Sequence, residues 1–200
     1  MGSSGMRLAL LLCAAGIGAA AAAAADVTEA RTGLQFPAKG LSRLGVRYKG
    51  PIKVYAVGEY ASGDYVLKMS YGVGAQKMSA ALADALKPRC SDAKAITDFE
   101  TCLVKGLPNG APKGTQMVFS TGGSALKVAV NGKAVGAIGS KKLATAFANI
   151  YTDKNAVCKM EPVGAGGEVA APAGSGLLST PVKGAAIGAA VGYGLGALLK

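Results

Sequence analysis

Within GVRYKGPIKVYAVGEY, residues 45–60, a guanidinium and a phenol (Arg47 and Tyr55) stand among residues typical of a sheet interior. Arginine presents two parallel N–H donors that match a carboxylate, and a tyrosine hydroxyl adds a third bond to the same oxygens. Whether the two side chains meet depends on the hairpin between them, because paired residues share a constant index sum. A two-residue loop, Gly50-Pro51, pairs position 47 with 54 and puts Arg47 and Tyr55 on opposite faces. A three-residue loop over 49–51 pairs 47 with 53 and gathers Arg47, Lys53 and Tyr55 on one face. Pro51 lacks an N–H and suits a loop better than a ladder, which favours the second register. If helices cover that face, the guanidinium needs an anion, since an unpaired buried charge costs several kcal/mol. The anion is either a ligand carboxylate or an internal one such as Glu59, Asp98 or Glu100. Failing both, the side chain reaches out to water.

Other chemistry is sparse. Histidine is absent, which removes Ser-His-Asp and Cys-His pairs as usually built, histidine-containing zinc sites and a proton shuttle near neutral pH. Cys13, Cys90, Cys102 and Cys158 form no CxxC pair. Cys13 lies in an apolar leader, and the other three could hold a Cys90–Cys102 bridge or stay reduced. With no base to activate them, they read as small apolar residues rather than nucleophiles. Lys53 and Lys77 read as exposed lysines. Nothing calls for a metal or cofactor: GYGLG, 192–196, has no strand before it and is not a nucleotide loop. The formal net charge is +11, but the basic residues are scattered singly and there is no tryptophan. That describes a solvated basic face, with no nucleic-acid partner.

The elements that must position Arg47 and Tyr55 lie in residues 26–162. Strands are expected at 43–49, 52–61 and 65–71. In AQKMSAALADALK, 75–87, Met78, Leu82, Ala85 and Leu86 share one helix face, and Pro88 ends it. A second helix over 91–107 starts at Ser91 or Asp92 and turns Ile96, Phe99 and Leu103 to one side. TQMVFS, ALKVAV and KAVGAI form a meander whose last turn, Asn131-Gly132, is a strong hairpin signal. A last helix, 140–151, is capped by Ser140. Strands, two helices, three strands and a helix make an α+β fold, an antiparallel sheet with helices packed on one face. Met69, Met78, Leu82, Phe99, Leu103 and Phe147 are candidate lining for an apolar pocket whose polar end is Arg47 and Tyr55, a shape suited to a fatty acid.

The ends differ in character. Residues 6–25, MRLALLLCAAGIGAAAAAAA, have a basic start, an apolar run and an alanine-rich exit, the layout of a cleaved signal peptide within a leader over 1–25. That points to the secretory pathway or secretion, with onward delivery to a plastid in some cells. Residues 163–182 are rich in Gly, Ala and Pro and read as a linker. In 183–200, glycines at 184, 188, 192 and 196 share one helix face, as in a glycine zipper that contacts membrane or itself. A flexible low-complexity tail is the other reading.

The segment GVRYKGPIKVYAVGEY, together with PKGTQMVFSTGGSALKVAVNGKAVGAIGSKKLATAFANIYTDKNAV, resembles the chalcone isomerase fold family over about residues 32–159. The matching features are a G-x-R…K-x-T-A-I-G-x-Y segment, a P-x-G-(S/T) entry to a strand pair, and a late helix ending in G-K-N-x-V. The resemblance implies that Arg47 is the family's arginine, which steadies a phenolate in the enzymes. The family's threonine falls on Tyr55, and tyrosine there is the pattern of the fatty-acid-binding branch, where Arg and Tyr hold a carboxylate. The pocket tyrosine of the enzymes is replaced in the region of Lys77-Met78, and their late-helix Ser or Thr falls on Ala144, beside Thr145. The segment after Tyr60 is also shorter. The expected function is therefore a non-catalytic chalcone isomerase-like protein that binds a fatty acid or similar apolar carboxylate. The alternative is a chalcone-flavanone-type isomerase in which Arg47 stabilises an oxyanion. A membrane-linked module acting through residues 183–200 is a third reading.

Overall fold

The computed structural model describes residues 26–164. The expected leader (1–25), nearly all of the linker (163–182) and the glycine-zipper tail (183–200) lie outside the described residues. The described residues open with a short hairpin, β1 (Val27–Glu29) and β2 (Leu34–Phe36), and continue through β3 (Leu41–Lys49), β4 (Ile52–Tyr60) and β5 (Asp64–Met69). Two helices follow, α1 (Ala75–Leu86) and α2 (Ala93–Gly106). Then come β6 (Gln116–Ser120), β7 (Leu126–Val130), β8 (Lys133–Ile138), α3 (Lys141–Thr152) and β9 (Met160–Pro162). Seven strands form one antiparallel sheet in the order β8-β7-β6-β5-β4-β3-β9.

Alternation along the strands decides which side is covered. Tyr55, Val57, Tyr65, Leu67, Met69, Met117, Phe119 and the apolar residues of β7 point to the helices and join their buried faces in the main core. Lys127, between Leu126 and Val128, is exposed. The stripe of α1 contributes Met78, Leu82 and Leu86, α2 contributes Phe99 and Leu103, and α3 contributes Phe147, Ile150 and Tyr151. The opposite face is not bare. Val27 and Phe36 of the opening hairpin pack on Leu44, Val46, Ala56 and Val66 to make a second, smaller core. The helix starts are tied together: Asp92 accepts the Ala95 N–H at 3.0 Å and the Ser140 hydroxyl at 3.1 Å, while Ser140 accepts the Leu143 N–H at 3.3 Å. Each cap therefore satisfies its own helix and holds the other. The cysteines Cys90, Cys102 and Cys158 are all free, so the bridge between Cys90 and Cys102 is not formed.

Candidate functional site: a cavity beside Arg47

The β3–β4 hairpin follows neither of the two simple registers. Lys49 pairs with Ile52 and Tyr48 with Lys53, so the loop is the two-residue Gly50-Pro51. Gly50 has φ +58°, a left-handed conformation open to glycine at the first central position of a tight hairpin turn. Pro51 then takes the second position, where no ladder N–H is needed. The register shifts immediately afterwards, and Arg47 pairs with Tyr55 instead of Val54. Val54 is the extra residue of a β-bulge, which re-aims the side chains around it. Its carbonyl accepts two N–H groups, from Ser70 at 2.9 Å and Tyr71 at 3.0 Å, so the end of β5 is fastened to the bulge. Arg47 and Tyr55 thus share the helix-facing side. Lys53 does not join them. Its ammonium donates to the Arg31 carbonyl at 2.5 Å, on the side of the opening hairpin, because the bulge restores the face of Tyr55 without moving Lys53.

Arg47 is half-buried and donates to the Val157 carbonyl at 2.5 Å. That carbonyl belongs to the DKNAV turn after α3. Arg89 anchors the turn through two bonds to Asp153, at 2.8 and 3.0 Å, and one to the Asn155 carbonyl at 2.7 Å. Val157 N–H closes the turn on the Ile150 carbonyl at 2.9 Å. No carboxylate among the described residues pairs with Arg47. Glu59 is held by Arg43 at 2.5 Å and Asp98 by Lys94 at 2.6 Å.

Tyr55 is buried, and its hydroxyl lies 3.2 Å from that of Tyr151. Tyr151 in turn stacks on Tyr65, with ring centroids 5.4 Å apart. Burial pushes the phenol pKa of both Tyr55 and Tyr151 up, so both stay neutral hydroxyl donors at physiological pH.

Arg47 and Tyr55 border a cavity of about 610 Å³, within the range of about 300–1,000 Å³ that small-molecule sites occupy. Its walls come from the bulged hairpin, the β5–α1 connection and one face of α1. Met78 and Leu82 of α1 and Ile150 of α3 supply apolar surface. Ala81 and Ala85 share the α1 wall, and their small side chains leave the space open. The rim carries Ile52, Tyr71, Lys49 and Lys77. Of the charged side chains lining the cavity, Arg47, Lys49 and Lys77 are cationic and Asp84 is the acidic one. The site is apolar with a positive bias, which suits an amphipathic anion.

Four residues expected as lining stand elsewhere. Met69, Phe99, Leu103 and Phe147 are fully buried in the main core, where Phe147 stacks on Phe119 with centroids 4.4 Å apart. They pack the layer between sheet and helices, whereas the cavity opens at its edge. Sequence reading missed Val54, whose bulge has no residue-type signature. It also missed Tyr151, although its place one residue after Ile150 on the apolar stripe of α3 was visible.

No family model matches the chain, and no curated protein matches it. Among solved structures, the chain is similar to the crystal structure of a fatty-acid binding protein from Arabidopsis thaliana. The two share 20% identity at a TM-score of 0.57, over 66% of this chain and 94% of that one. At that identity the likeness carries the fold, and the fold of this chain is chalcone isomerase-like: one antiparallel sheet with three helices on a single face.

Proposed function

We propose that this chain is a non-catalytic chalcone isomerase-like protein that binds a fatty acid or another apolar carboxylate in the cavity beside Arg47. One observation carries the reading. A half-buried guanidinium borders an apolar cavity, bonded to a backbone carbonyl and with no carboxylate partner among the described residues. A ligand carboxylate supplies the missing charge, and charge-assisted bonds of this kind are the strong ones. With Tyr151 as donor to the Tyr55 oxygen, the Tyr55 proton is free for the same carboxylate. Met78, Leu82 and Ile150 then meet the alkyl chain. The likeness in fold to a fatty-acid binding protein agrees with this reading. Cyclisation of a chalcone is disfavoured: Ala144 is buried in the core and offers no hydroxyl, and the resemblance to the enzymes implies Lys77-Met78 in the region of their pocket tyrosine.

The test is delipidated protein incubated with mixed free lipids, washed, and read by mass spectrometry. Fatty acids are retained and neutral lipids are not. If Arg47→Ala retains fatty acid at the unsubstituted level, the head-group clamp is wrong.

A further inference from the structure

The described residues expose three large hydrophobic side chains, Tyr48 at 39%, Ile52 at 41% and Tyr71 at 54%. Exposed apolar residues scattered singly are ordinary, but here Ile52 and Tyr71 stand together on the cavity side of the hairpin tip, while Tyr48, paired with Lys53, projects from the other face of the same tip. Tyr48 and Ile52 flank the Lys49-Gly50-Pro51 tip, and Tyr71 is fastened beside that hairpin through the Val54 carbonyl. Ile52 and Tyr71 stand on the cavity rim together with the exposed Lys49 and Lys77. Tyrosine rings settle at the headgroup level of a bilayer, and lysines near the surface are drawn to anionic lipids. The net charge of +11 adds long-range attraction to such a surface.

We propose that this rim docks onto an anionic lipid surface. The hairpin tip and Tyr71 enter the headgroup layer, and the cavity mouth faces the bilayer. Docking stands on the rim itself; that it serves to load or release an apolar carboxylate rests on the function proposed above.

The chain has no tryptophan, so full-length Tyr71→Trp carries a single reporter. Delipidated Tyr71→Trp is mixed with vesicles of phosphatidylcholine alone or with phosphatidylglycerol added. The expected result is a blue shift and quenching by brominated lipid on the anionic vesicles only. Thr97→Trp, on the exposed side of α2, stays unshifted. Replacing both rim lysines (Lys49→Ala with Lys77→Ala) weakens partitioning about 30-fold. An unshifted indole in Tyr71→Trp on anionic vesicles overturns the proposal even if the protein sediments with them through another segment. So does an equal shift on uncharged vesicles, or at Thr97→Trp. A blue shift present before vesicles are added and lost on dilution means that a second copy covers the patch, which also overturns it. Fatty-acid retention is read separately by mass spectrometry: retention without docking removes this proposal alone, and docking without retention removes the binding reading alone.

Discussion

Arg47 and Tyr55 are direct cross-strand partners on β3 and β4, although the loop between them has only two residues. An unbroken two-residue hairpin would oppose Arg47 to Val54 and send Tyr55 to the other side of the sheet. The bulge at Val54 adds one residue to β4 and returns Tyr55 to the face of Arg47. Two side chains of the candidate site therefore meet because of an irregularity in the strand. The same irregularity leaves Lys53 behind on the outer face, bonded to the Arg31 carbonyl.

The first consequence concerns Arg47. Its protein partner is the Val157 carbonyl, so Arg47→Ala removes one bond with a charged donor and should lower the stability of the ligand-free protein by about 1.5–3 kcal/mol at most. Its effect on a bound carboxylate is at least of that order. Loss of a charged donor is worth about 1.5–3 kcal/mol, or about 10- to 150-fold in Kd. Calorimetric titration with a long-chain fatty acid and thermal unfolding of the ligand-free protein check the two halves separately. A large loss of stability with unchanged affinity would make Arg47 a structural residue.

The second prediction tests the turn. Gly50 holds φ +58°, and a Cβ added there would meet no other atom within 4 Å. Gly50→Ala thus isolates backbone strain, which costs an L-residue about 1–2 kcal/mol in this conformation. The midpoint of thermal unfolding should fall by about 2–4 °C for each kcal/mol lost. An unchanged midpoint would mean that the hairpin closes through a different turn.

Those two residues also show where sequence reading succeeds and where it stops. Helix spacing located α1, α2 and α3 to within one or two residues, because each buries an uninterrupted stripe and two carry a side-chain cap. Asn131-Gly132 marked its hairpin because both residues take positive φ. By contrast, β1, β2 and β9 are three residues each, too short for alternation to register. Arg47 and Tyr55 were legible as residue types, but the bulge that joins them is set by tertiary pairing with β5. The deep aromatics Phe99 and Phe147 are core and not cavity wall, since helical spacing reports burial and says nothing about what lies on the far side.

The third prediction concerns acid. Burial pushes the Glu29 carboxyl up, but hydrogen bonds from Arg31 and Thr32 outweigh it and hold the pKa below the ordinary 4.5. The bonds are short, 2.7 Å from Arg31 Nε and 2.7 Å from the Thr32 hydroxyl. A carboxylate with a depressed folded pKa contributes stability that is fully present above its unfolded value and is lost as pH falls through the folded one. The contribution of the opening hairpin should therefore be constant above pH 4.5 and decline below it. Urea unfolding of the parent and of Glu29→Gln at stepped pH checks this. The gap between the two should be widest above pH 4.5 and narrow toward lower pH.

The fourth prediction concerns the two buried phenols. Their oxygens are 3.2 Å apart, longer than the usual 2.7–2.8 Å of an O–H···O bond. Tyr151→Phe strands the Tyr55 hydroxyl, and Tyr55→Phe strands that of Tyr151. Each single change should cost about 1–3 kcal/mol, because a buried hydroxyl without a partner loses its solvation. The double variant removes both and should cost less than the sum, with a coupling of at least about 0.5 kcal/mol. Affinity separates the roles. Tyr55→Phe removes a donor to the carboxylate and weakens fatty-acid binding, whereas Tyr151→Phe acts only through the orientation of Tyr55 and weakens it less. Unfolding and calorimetric titration on the same four proteins measure both quantities. Equal losses of affinity in the two single variants would place Tyr151 in direct contact with the head group.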